Sequence, residues 1–166
     1  EDRVPCIRIS SATIARLFSN AGMESPKVGL QLAPELTTAA HANAFVRGLM
    51  DADGSVSVRE GGSSTVLVST ISETLAEQLQ LILETYGVRA RRRERDRRGT
   101  YELSDGQTIE SKHVQHFVEL YGADIERYAE DIGFGIAAKQ RALQHITDDT
   151  ARRGEMIPVG SALMAT

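Results

Sequence analysis

A chain of 166 residues suits one domain with a sizeable core. Its 19 basic and 23 acidic side chains give a net charge of −4, so overall charge does not announce a nucleic-acid partner, and the absence of Trp argues against a stacking platform for single strands. The lone Cys6 excludes an internal disulfide and points to a reducing intracellular setting, cytoplasmic or nucleoid-associated; no apolar run approaches 18 residues, so no membrane partner is expected.

In chain order, Val4 to Ile9 predicts a short strand. Ser10 or Ser11 then caps a helix with Ile14, Leu17 and Phe18 inward, stopped at Gly22. Residues 23–36, with Pro26 and Pro34, read as a linker, so 1–35 forms an N-terminal extension. Thr37 or Thr38 caps the next helix, in which Ala40, Ala44, Phe45, Gly48, Leu49 and Ala52 recur at helical spacing. Gly54 is expected to end it in a left-handed conformation. Within this helix Ala44, Gly48 and Ala52 form a stripe of small residues, four apart, that lets another helix approach closely; the glycine otherwise weakens a helix by roughly 1 kcal/mol.

Residues 55–60 and 65–70 predict a hairpin around Gly61-Gly62-Ser63-Ser64. Even positions Val56, Val58, Val66 and Val68 are apolar; odd positions Ser55, Ser57, Arg59, Thr65 and Ser69 are polar, with Leu67 the exception. That alternation predicts an antiparallel sheet with one dry and one wet face. Ser72 or Thr70 begins a helix with Leu75, Leu79, Ile82, Leu83 and Tyr86 inward, Thr70 with Glu73 offering a capping box, and Gly87 ends it. In residues 88–98, Arg89, Arg91, Arg93, Arg95 and Arg97 occupy every odd position, so a strand here projects five guanidinium groups from one face. The stretch carries seven arginines against Glu94 and Asp96, a local +5 that leaves about −9 for the rest of the chain. Arginines aimed one way suit phosphates and guanine edges; the plainer reading is a solvated hairpin arm. Residues 101–108 read as a strand and turn ending in Asp105-Gly106, and 115–121 as a strand in preference to a short helix. Asp124 is expected to cap a helix with Ile125, Tyr128, Ala129 and Ile132 inward and Gly133 closing it, and 136–146 makes a last helix. The tail from 148 to 166 has no assignment.

The string Val46-Arg47-Gly48-Leu49-Met50-Asp51-Ala52-Asp53-Gly54 resembles the signature of the LAGLIDADG homing endonucleases: Gly48, Leu49 and all of Asp51 to Gly54 agree. Arg47 departs from the namesake alanine and is similar to the form carried by endonucleases embedded in inteins. Val118 to Gly122 leading to Tyr128, and Ile132-Gly133-Phe134 followed by Lys139-Gln140 and Leu143, look like the family's downstream pattern, so the resemblance spans about 36–146. It implies an α+β fold, one αββαββα repeat over domain 36–147, with an antiparallel sheet that faces DNA.

The resemblance also implies the chemistry. Asp53, the second aspartate of the motif, becomes the ligand of Mg²⁺, a hard cation that takes one or two protein carboxylates. Asp51 takes a structural role at the helix end. Lys139 is the first choice for an assisting lysine and Lys112 the second, each weighed against an ordinary surface role. The wet face, Ser55, Ser57, Arg59, Thr65, Ser69 and the Arg89 to Arg97 row, lies along the major groove of double-stranded DNA. One motif supplies one carboxylate, so the protein is expected as a homodimer, or paired with a second repeat, through Ala44, Gly48 and Ala52. The expected activity is site-specific, metal-dependent cleavage of both DNA strands with short 3′ overhangs. The alternative is a DNA-binding or RNA-maturase relative without catalysis. With one Cys and no paired His spacing, His41, His113, His116 and His145 are not expected to hold zinc. Protein splicing, which needs a nucleophile at the first residue and a His-Asn end, is not expected of a chain running from Glu1-Asp2 to Ala165-Thr166.

Overall fold

A computed structural model describes residues 10–20, 27–59 and 62–154. The helices are α1 (Ala12–Asn20), α2 (Ala39–Asp53), α3 (Glu73–Thr85), α4 (Ala123–Asp131) and α5 (Ala137–Gly154). The strands are β1 (Ser55–Ser57), β2 (Thr65–Thr70), β3 (Arg91–Asp96), β4 (Gly99–Glu102), β5 (Thr108–Ser111) and β6 (Val114–Leu120). A four-stranded antiparallel sheet runs β1-β2-β6-β3, and β4 and β5 form a separate hairpin inserted between β3 and β6. From α2 onward the order is therefore αββαββαα plus that inserted arm, an α+β architecture with an antiparallel sheet. The strand expected over Val4 to Ile9 lies outside the described residues.

Register fixes which side chains share a face. Val56, Val66 and Leu120 stand in one cross-strand row, Val68, Val118 and Arg92 in the next. The apolar members of these rows meet Val46 and Met50 of α2, Leu75, Leu79 and Leu83 of α3, Ile125 and Tyr128 of α4 and Leu143 of α5 in one core. The odd positions, Leu67 with Glu119 and Arg91, Ser69 with Phe117 and Arg93, and Gln115 with Arg95, form the other face. Strand periodicity thus sorts the sheet as the alternation predicts.

Several local expectations are corrected. Gly54 is not left-handed: its φ is −74° and ψ 156°. Glycine is required there for space, because a Cβ would sit 2.5 Å from the Met50 carbonyl oxygen. Val58 is not on a dry face; β1 ends at Ser57 and Val58 is 40% exposed. On α1, Ile14, Leu17 and Phe18 face outward, and the helix buries none of its residues. Ser72 alone caps α3: its Oγ accepts from Leu75 N at 3.1 Å while Thr70 Oγ1 accepts from Ser72 N, so no capping box with Glu73 forms. Gly122 occupies the N-cap of α4, and Asp124, one residue inside, accepts from Arg89 N at 2.9 Å instead. The regular strand covers Arg91–Asp96, so Arg89 and Arg97 flank it rather than extend its face. The last helix continues to Gly154, beyond the expected end at 146.

Candidate functional site

The end of α2 is held by polar side chains exchanged with α4 and α5. Asp51 turns its carboxylate to the start of α5, where Oδ1 accepts from Gly135 N at 3.0 Å and Ile136 N at 3.1 Å. Negative charge at a helix N-terminus is favoured there. Gly135 is required by this contact, since a Cβ would lie 2.7 Å from Asp51 Oδ2. In return Lys139 of α5 donates from Nζ to the carbonyls of Met50 at 3.0 Å and Asp51 at 2.6 Å, capping α2 with a cation. Arg47 donates through Nε to the Ile132 carbonyl at 2.8 Å, and Asn43 donates to that of Asp131, so two α2 side chains close the end of α4. Tyr128 is fully buried and donates to the Gly133 carbonyl at 2.9 Å; burial, then the nearby Asp51 charge, raise its phenol well above the usual range and keep it a donor.

This network leaves Asp53 apart. It is the last residue of α2, exposed, and carries no hydrogen bond or ion pair among the described residues. It lines a groove of about 670 Å³ together with Lys27, Phe45, Leu49, Ser69 and Gln115. Two aspartates two residues apart thus differ in kind: Asp51 is engaged and Asp53 is free among the described residues. A lone exposed carboxylate that needs further ligands from substrate and water fits the donor set that Mg²⁺ takes, one or two carboxylates with phosphate oxygens. Among the described residues no cluster of three or more His, Cys, Asp or Glu side chains is placed to hold a metal.

The remaining site residues fall into separate places. Ser55 and Ser57 are exposed on β1, Arg59 is exposed just beyond it, and Thr65 and Ser69 are half-buried on β2. Ala44, Gly48 and Ala52 are exposed along α2, and a Cβ on Gly48 would meet nothing within 4 Å. Lys112 lies just past β5 and pairs with Glu110 at 3.2 Å. Among the arginines, Arg89 pairs with Asp124 at 3.8 Å, Arg92 with Glu77 at 2.7 Å, Arg93 with Glu119 at 2.7 Å and Arg98 with Asp96 at 2.7 Å. Arg98 holds the Asp96 carboxyl down at about 2. Arg91, Arg95 and Arg97 have no ion pair among the described residues. Sequence reasoning missed the roles of Asn43, Gln140 and Glu119; Gln140 Oε1 accepts from Phe134 N at 2.8 Å, fixing the turn into α5.

A family model for the LAGLIDADG-like domain matches residues 40–133, more than half of the chain. The chain belongs to the LAGLIDADG-like domain family. The LAGLIDADG chain is also 23% identical over 150 residues to a protein described as replication factor C small subunit from Methanocaldococcus jannaschii. That match covers 90% of this chain and 7% of the relative's length. Among the described residues no helix is long and apolar enough to cross a membrane.

Proposed function

We propose that this LAGLIDADG domain is a site-specific endonuclease for double-stranded DNA, with Asp53 as the carboxylate that holds Mg²⁺. The observation that carries this reading is the contrast between the two motif aspartates: Asp51 caps α5 and Asp53 stands exposed along its groove without a protein partner among the described residues. When bound, Mg²⁺ supplies charge stabilisation at the scissile phosphate and lowers the pKa of an attacking water. The chain's own residues do the rest. Asp51 and Lys139 fix the end of α2 from which Asp53 projects. Lys139, held at the Asp51 carbonyl, is the first candidate to lend positive charge beside Asp53; Lys112, paired on the β4–β5 arm, is the second. The odd face of the sheet, with Arg91, Arg93 and Arg95, lies along the major groove and supplies backbone attraction and base contacts.

A single carboxylate per chain calls for a second LAGLIDADG motif, in a homodimer or in a second repeat, reached through Ala44, Gly48 and Ala52. A two-fold dimer implies a nearly palindromic target. The intein-embedded type is favoured by Arg47 within the motif and by a match that occupies so small a part of a much longer relative. DNA as substrate places the protein inside the cell. A second reading, a DNA-binding or RNA-maturase module without catalysis, is favoured by the engagement of Lys139 with two carbonyls.

Nicking of duplex DNA decides between the two readings. Cleavage is expected to need Mg²⁺, to stop with EDTA, and to fall at least a hundredfold in Asp53→Asn, about the 3 kcal/mol expected of a lost charge-stabilising group. Duplex binding in Asp53→Asn is expected to persist. Equal cleavage by the variant would remove Asp53 from the site, and binding without cleavage by the unaltered protein would favour the second reading.

A further inference from the structure

The face that carries Arg91, Arg93 and Arg95 also buries a carboxylate. Glu119 is 3% exposed, and its register with Leu67 and Arg91 places it among the odd positions of the sheet. On a surface that attracts a polyanion, a buried negative charge opposes binding unless it organises something nearby. Both of its oxygens are occupied. Oε1 accepts from Arg93 Nη2 at 2.7 Å, and Oε2 accepts from the Tyr121 hydroxyl at 2.9 Å. The Arg93 guanidinium also lies over the Phe117 ring, 4.9 Å from its centroid, with Phe117 directly opposite on β6. One ionic and one aromatic contact therefore fix a side chain that is still 48% exposed. The Arg93 hydrogen bond, with lesser help from Tyr121, holds the Glu119 carboxyl below its ordinary range, so the pair stays ionised at neutral pH.

We propose that Arg93 is the specificity-determining arginine of this sheet, a guanidinium preset by Glu119 and Phe117 to read a guanine edge, flanked by Arg91 and Arg95 as phosphate contacts. The inference rests on the duplex-DNA reading above. Its physical basis is a division of labour. A free arginine attracts any phosphate and loses rotamer freedom when it docks, so it adds affinity more than selectivity. Arg93 has its charge balanced by Glu119 and its rotamer already fixed, yet it keeps unengaged N–H donors. Such donors discriminate directionally, because a base edge without acceptors leaves them unmet. Residues two apart on a strand stand roughly 6.8 Å apart, about two base-pair steps, so Arg91 and Arg95 fall to either side of the base that Arg93 faces.

Selection of binding sites from a randomised duplex pool tests this with the full chain. The unaltered protein is expected to enrich a motif with guanine at a defined position in each half-site. The double variant Arg93→Met with Glu119→Gln, which removes both charges together, is expected to flatten that position by roughly tenfold, within what one bidentate contact contributes, whereas Arg93→Met alone is expected to flatten it and also to weaken competitor binding, because the Glu119 carboxylate is left uncompensated. Glu119→Gln is expected to flatten the same position while tightening competitor binding, since it releases an uncompensated guanidinium. Arg91→Ala is expected to weaken all sequences alike. The double variant leaves no buried charge unpaired, so it decides the matter even if either single variant fails to fold. An enriched motif left intact by Arg93→Met, or flattened by Arg91→Ala at that position instead, overturns the inference alone. Enrichment of no motif and no duplex binding by the unaltered protein overturns the inference together with the DNA reading.

Discussion

Asp51 and Asp53 separate stability from activity within three residues. Asp51→Ala removes the side-chain acceptor of the Gly135 and Ile136 amides at the start of α5, so the loss of a helix cap, about 0.5–2 kcal/mol, is expected in urea unfolding. Asp53→Ala removes no contact among the described residues, so a change within about 0.5 kcal/mol is expected. Equal losses would mean that Asp53 is structural. The motif itself was legible in the sequence, and so was the structural assignment of Asp51. Its partners were not, because they lie 84 and 85 residues away and no local periodicity points to them. Glu119 gave no signal either: it lies next to Val118 and Leu120 in an apolar strand, and its purpose depends on cross-strand register with β3. It also makes an acid-dependence prediction. Its folded pKa lies below the ordinary 4.5, so its stabilisation is fully present above that value and is lost as pH falls through the lower folded value. Melting temperatures of the unaltered protein and Glu119→Gln are expected to converge on acidification below about pH 4.5 and to differ at pH 7; a constant gap would show that Arg93 does not hold that carboxylate.

At the level of elements, periodicity recovered α3 and β6 because each buries a regular stripe; it recovered α2 as a helix, but the side that the helix buries is Ala42, Val46 and Met50, not the line of Ala44, Gly48 and Ala52. It failed on α1, whose apolar residues at helical spacing face outward: a sequence pattern records which residues share a face, not what that face meets. The Arg89 to Arg97 row shows the same limit. Alternation identified a strand, but only Arg91, Arg93 and Arg95 belong to its odd face, since Arg89 is drawn to the start of α4 and Arg97 passes into the β4–β5 arm. The exposed line of Ala44, Gly48 and Ala52 supports a prediction for α2. Nothing lies within 4 Å of a Cβ at Gly48, so within one chain Gly48→Ala is expected to stabilise the helix by up to about 1 kcal/mol. If two copies pair through this stripe as proposed, Gly48→Leu is expected to leave single-chain folding intact while shifting the solution mass from dimer to monomer. A dimer that survives Gly48→Leu would exclude this stripe as the helix contact.

Across the whole molecule, the charge concentrated in residues 88–98 is smaller in effect than in count. Seven arginines stand there, and four have acidic partners, leaving Arg91, Arg95 and Arg97 without ion pairs among the described residues. An arginine already balanced by a carboxylate adds little to the counterions displaced from DNA, whereas each uncompensated one adds about 0.9 to the dependence of log affinity on log salt. The row therefore contributes a slope of about 2.7 per protomer, against about 4.5 for five uncompensated arginines. Titration of duplex binding against NaCl checks this residue by residue. Arg91→Ala, Arg95→Ala and Arg97→Ala are each expected to reduce the slope by about 0.9 per protomer. Arg92, on the core side of the sheet and 2.7 Å from Glu77, serves as the control, and Arg92→Ala is expected to leave the slope unchanged. Equal reductions from Arg91, Arg95, Arg97 and Arg92 would mean that binding senses net charge alone. Reductions confined to the first three would tie the association of an acidic protein with a polyanion to the arginines of β3 and its flank that lack acidic partners.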